Sequence, residues 1–248
     1  MTPIRTLLIT LCLLVGLGLP GTLPNPSQAE DGVTQEPSAE GTANERQADE
    51  DEAVAPIRVA LLTYGQQQTG ICFADAFLAT YSRETGQQLH RSFDSVALDS
   101  EELFDYPFVV LSGERAFEPT PAEKENLKRY LDRGGFLLAS AGCSNNAWAQ
   151  GFVAMMSELF GQTPLKPIPN DHLLFHTLYD IDSIDARKPG GRVAIYGYSV
   201  DSQLRVLFSP LGLNDTSNAG GGCCCCGGSE IRNARLINAN ALAYALLQ

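Results

Sequence analysis

At 248 residues, with 29 acidic against 17 basic side chains and a formal net charge of −12, the chain has room for one or two domains. It lacks the basic face that nucleic-acid binding requires. The acid is unevenly placed: from Glu30 to Ala53 nine acids stand against the single Arg46, so that stretch alone holds −8, and with Arg5 set aside the rest carries about −5, too ordinary a value to define a ligand.

The chain opens as a secretory signal. Arg5 precedes an apolar run of thirteen residues, Leu7 to Leu19, shorter than the roughly 20 a membrane span needs. Pro20-Gly21 ends the run, and Ser27-Gln28-Ala29 supplies the small residues a signal peptidase reads, which predicts cleavage after Ala29 and export to the periplasm or the extracellular space. An uncleaved N-terminal anchor is the rival reading. Cys12 lies in the run without a lipobox, so cleavage leaves six cysteines and no membrane span. Residues 30–53 hold one Val and no aromatic. They cannot bury enough apolar surface to offset the entropy of ordering, and they read as a disordered acidic tether.

A foldable domain, residues 54–248, follows. Ile57 to Thr63 reads as a buried strand and Ile71 to Thr85 as a helix, with Phe73, Phe77, Leu78 and Tyr81 at helical spacing and Gly86 closing it. A second strand is expected within Gln87 to Leu98 and a third at Phe108 to Leu111. Thr120 as N-cap, Pro121 in the first turn and Glu123 as the capping-box partner announce the next helix, which Gly134-Gly135 stops. Gly135 to Ser140 predicts a further buried strand and Trp148 to Phe160 a helix. Leu165 to Ile168, Val193 to Tyr198 and Leu204 to Phe208 follow as strands, the last two separated by the polar turn Asp201-Ser202. A Gly- and Cys-rich loop leads to a final helix over Glu230 to Leu247. Strands alternating with helices predict βαβ units and one mainly parallel sheet with helices on both faces.

The strings LFDYPFVVLSGERAF, PTPAEKENLKRYLDRGGFLLAS, PNDHLLFHTLYD and NARLINANALAYAL resemble the family named domain of unknown function 4159, from Ile57 to Gln248. That resemblance implies the fold of class I glutamine amidotransferases, a flavodoxin-like doubly wound sheet. It brings no catalytic residues, since the family has no established activity. Two features depart from its frequent form: Ser140-Ala141 end the central strand where acids often stand, and Cys223 to Cys226 lie where many members have no cysteine.

Several residue patterns bear on chemistry. Cys143, in AGCSN after a strand and before a helix, has the placing of a nucleophile at an elbow. Ala141 suits the cramped turn there and Asn145 suits it poorly. A reactive thiol also needs a base, yet His90, His172 and His176 are the only histidines and none sits in a His-Glu dyad. His172 and His176, four apart beside Asp171, form a weak metal pair, and a capping role is the plainer reading. The glycines at 220–222 and 227–228 before Ser229 match no phosphate fingerprint, and Glu230 would repel an anion.

Cys223, Cys224, Cys225 and Cys226 are the least ordinary feature. Neighbouring cysteines bridge each other only through a strained ring, so their partners are expected elsewhere, at Cys72 and Cys143. All are expected beyond the carboxyl ends of the strands, where such sheets collect ligands. Disulfides form there, or a thiophilic metal or iron–sulfur cluster is held, or the sulfurs stay free and buried with no cofactor. The sequence therefore predicts an exported, non-catalytic binding or scaffold module for a protein or small-molecule partner, built around a cysteine site. A Cys143-dependent amidase or hydrolase is the alternative.

Overall fold

A computed structural model describes residues 55–65, 70, 72–186, 193–217 and 230–248, all within the unit Glu52–Gln248. The expected leader and tether, and the Cys223 to Cys226 run, lie outside the described residues. Seven strands form one sheet: β1 (Ala60–Thr63), β2 (Asp94–Ala97), β3 (Phe108–Gly113), β4 (Phe136–Ala141), β5 (Lys166–Pro167), β6 (Tyr196–Val200) and β7 (Gln203–Ser209). Their order is β2-β1-β3-β4-β7-β6-β5. The first five in that order run parallel, and β6 and β5 extend the sheet antiparallel. The expected mainly parallel α/β sheet is therefore present.

Every residue of β3 and β4 is buried, because helices cover both faces. This is why these strands read as unbroken apolar runs rather than as alternation. α1 (Ala76–Thr85) and α4 (Ala234–Leu246) place Phe77, Leu78, Ile237 and Leu242 against Phe108, Val110 and Leu138 on one face. α2 (Pro121–Asp132) and α3 (Asn146–Phe160) place Leu127, Leu131, Trp148 and Phe152 against Val109, Leu137 and Phe208 on the other.

The capping box of α2 is as expected. Thr120 Oγ1 accepts the Glu123 N–H at 3.2 Å and Glu123 Oε2 accepts the Thr120 N–H at 2.6 Å. The Asp201-Ser202 turn has φ of 49° and 67°, the two positive values that a tight hairpin twist demands.

Element boundaries differ from the sequence reading where side chains divert the backbone. α1 begins at Ala76 rather than Ile71, since the Phe73 N–H closes a turn on Gly70 O. α4 begins at Ala234 rather than Glu230. Ile231 bridges Ala186, the Arg232 N–H donates to Asp185 O, and Asn233 reaches both Ser183 and Asp185. α3 begins at Asn146, with Asn145 Oδ1 accepting the Trp148 N–H at 2.9 Å. β2 is confined to four residues and β6 lies a few residues later than expected. A 3-10 turn at Glu101–Asp105, capped by Ser100, has no counterpart in the sequence reading. Among the described residues no helix is long and apolar enough to cross a membrane.

Candidate site at the carboxyl edge of the sheet

Four parallel strands end side by side, and polar side chains stitch their loops together. After β4 the chain turns through Cys143 (φ 53°, ψ 26°) and Ser144 (φ 55°). For residues other than glycine this left-handed conformation costs about 1–2 kcal/mol each, so neighbours must hold it. Ser144 Oγ donates to Leu211 O at 2.6 Å, in the loop after β7. Asn145 Nδ2 donates to Glu114 O at 2.9 Å, in the loop after β3. The residue judged unsuited to an elbow therefore has two tasks, capping α3 and tying β4 to β3.

The loop after β7 is anchored as firmly. The Leu213 N–H donates to Ser140 Oγ at 2.8 Å, Asn238 Nδ2 donates to Leu213 O, and the Ala74 N–H donates to Asn214 Oδ1 at 3.0 Å, in the loop after β1. The Ile231 N–H donates to Gly212 O at 3.2 Å, so the chain leaves at residue 212 and returns at residue 231 to one point. Gly212 has φ +96°, and a Cβ there would come 2.7 Å from Ala141 O. Only glycine fits that crossing.

Glu114 and Tyr64 are ionisable groups at this edge whose surroundings shift their titration. Glu114, after β3, has its carboxyl pushed above the usual range by burial, with the charge of buried Glu230 adding to the effect and its own backbone N–H and Arg115 opposing it. Tyr64, after β1, is pushed up to about 12 by burial, and its OH accepts from Trp148 Nε1 at 2.9 Å. A Cβ on Gly113 would come 2.6 Å from both of those atoms.

The cysteines expected at this edge are described in part. Cys72 is buried after β1 and is half of a disulfide. Cys143 is half-buried after β4 and carries its thiol. Ala74 and Ser144, two and one residues from them, both bond to the 211–214 segment, which leads toward Cys223 to Cys226. Among the described residues no three or more His, Cys, Asp or Glu side chains gather as a metal would need.

The histidines lie elsewhere. The His90 N–H donates to Ile57 O, ahead of β1. His172 stacks 5.5 Å from Tyr244, whose ring lies 6.2 Å from Phe136, the first residue of β4. That is the amino edge, about 20 Å from Cys143 along a six-residue strand. His172 Nδ1 accepts the Leu174 N–H, and burial lowers its affinity for a proton. His176 Nε2 is 2.9 Å from Asn170 O and Nδ1 is 3.2 Å from Asp180, bonds that raise its pKa in that order. The His172–His176 pair expected as weak metal ligands thus engages local partners, and neither ring is placed to serve Cys143 as a base.

The sequence reading missed Tyr64, Glu114, Ser144 and Asn214. The available signal was positional: each follows the carboxyl end of a parallel strand, where side chains face ligand space whatever motif surrounds them.

No curated protein matches the chain. A family model matches residues 58–221, two thirds of its length and all the parallel strands just described, and the chain belongs to the family described as Domain of unknown function (DUF4159).

Proposed function

We propose that this protein is an exported, flavodoxin-like binding module whose ligand site is the carboxyl edge of the sheet. One observation carries the reading. The loops after β1, β3, β4 and β7 are hydrogen-bonded into a single rim through Asn145, Ser144 and Asn214, and Glu114, Tyr64 and Cys143 stand on it. The strand order supports the doubly wound arrangement. α1 follows β1 onto one face and α2 follows β3 onto the other, so the connections part at the β1–β3 boundary, and ligands of such sheets bind at that point.

Binding is favoured over hydrolysis because the histidines lie at the far edge, leaving the Cys143 thiol without an imidazole base. Oxidised Cys72 favours a disulfide over a thiolate metal centre. The partner we propose for Cys72 is one of Cys223 to Cys226, and such a bridge would fit an oxidising, extracytoplasmic compartment.

The test is a small-molecule fragment screen read by backbone amide shifts. Hits should perturb residues 72–74, 113–115, 143–146 and 211–214. Hits confined to the amino edge around His172 and Tyr244 would reject the site.

A further inference from the structure

The two faces of the sheet are covered unequally where β6 extends it. On the α1–α4 face the segment from Ile168 to Ile181 lays Leu174 and Phe175 into the core. On the α3 face no described segment lies beyond that helix, and a groove of about 500 Å³ remains, walled by Ala149, Val153 and Ala154 and floored by Leu165, Tyr196 and Phe208. Its volume lies within the range of small-molecule pockets, ~300–1,000 Å³. Among the described residues no charged side chain lines it, although the protein carries many acids. Val153 stays 41% exposed, one of three large apolar side chains so exposed among the described residues.

The groove runs into the rim described above. Its lining includes Asn146 and Pro210. Asn146 adjoins Asn145, and Pro210 adjoins Leu211, which accepts the Ser144 hydroxyl. Resting on the carboxyl-edge reading, we propose that the ligand of this site is a neutral amphiphile, with its polar head at the Cys143–Asn145 turn and its apolar body in the groove beside α3. The lining selects that chemistry: alkyl and aromatic surfaces take the apolar body, Asn146, Gln150 and Thr163 add only neutral polar groups, and with no countercharge among the described lining residues desolvating a charge there would be costly.

The probe is 1-decanol, titrated into the labelled protein and followed by methyl and amide shifts, with the exposed-helix variant Ala154→Glu in parallel. The expected result is saturable binding that moves the methyls of Val153, Ala154 and Leu165 together with the amides of Cys143 to Asn146. Ala154→Glu should weaken it roughly tenfold or more while leaving the melting temperature unchanged. Amide shifts at the turn without groove methyl shifts would overturn this proposal and leave the rim reading standing. Groove shifts without the turn, shifts indifferent to Ala154→Glu, or none up to the solubility of decanol would also overturn it. A concentration-dependent dimer lost in Ala154→Glu would do the same, assigning the groove to a second copy of the chain.

Discussion

Glu123 couples the start of α2 to the first loop of the rim, and replacing it by alanine measures that coupling. The residue is 5% exposed, and its carboxylate accepts two backbone N–H groups, Thr120 through Oε2 and Gly65 through Oε1, both at 2.6 Å. Losing the capping box costs about 1 kcal/mol. Losing a charge-assisted bond to Gly65 adds about 1–2 kcal/mol, the lower end because Gly65 is exposed and water can replace the acceptor. The sum, about 2–3 kcal/mol, corresponds to a fall in melting temperature of roughly 4–12 °C for a domain of this size. Glu123→Gln retains only one oxygen and should lose about half as much. Thermal and urea unfolding followed by circular dichroism provide the assay. A melting temperature for Glu123→Ala within 1 °C of the parent would mean that neither bond contributes to the folded state.

Other perturbations have equally definite outcomes. Asn240 is fully buried, accepts the Leu178 and Tyr179 N–H groups and donates to Tyr179 O. Asn240→Leu would strand three backbone groups and should cost about 3–5 kcal/mol in urea unfolding, whereas a loss under 1 kcal/mol would show that water reaches them. Glu114 has a folded-state pKa raised above its ordinary 4.5 by burial, so its contribution is fully present below that value and lost as pH rises through the folded pKa. Glu114→Gln should therefore gain stability relative to the parent between pH 4 and pH 7, and a difference that is flat or falls over that range contradicts the assignment. With no imidazole near Cys143, glutamine and activated esters should not be turned over, and a steady rate abolished by Cys143→Ser would restore the hydrolase alternative.

Much of the sheet was legible because buried parallel strands announce themselves as apolar runs. Phe108 to Leu111 and Gly135 to Ser140 predicted β3 and β4 to within two residues at each end. The α2 start was equally plain, since Thr120, Pro121 and Glu123 satisfy orphan backbone groups by local bonds that the sequence displays. Helix starts governed by distant partners were not legible. Asn233 gives its side chain to Ser183 and Asp185, fifty and forty-eight residues away, and so delays α4. The same limit applies to the site. Cys143 stood out by residue type, but Glu114 and Asn214 matter because of the strand ends they follow, and their partners are distant in sequence. The placing of the histidines at the amino edge depended on where α4 returns along the sheet, which no local pattern encodes.

If Cys72 pins the loop after β7 to the rim while Cys143 remains a thiol facing it, peptide mapping of the protein purified without reducing agent will show both. The protein is alkylated under denaturing, non-reducing conditions, digested, and analysed by mass spectrometry. The predicted result is a Cys72 peptide cross-linked to the peptide carrying Cys223 to Cys226, with Cys143 alkylated. Alkylated Cys72, or a Cys72–Cys143 cross-link, would contradict it.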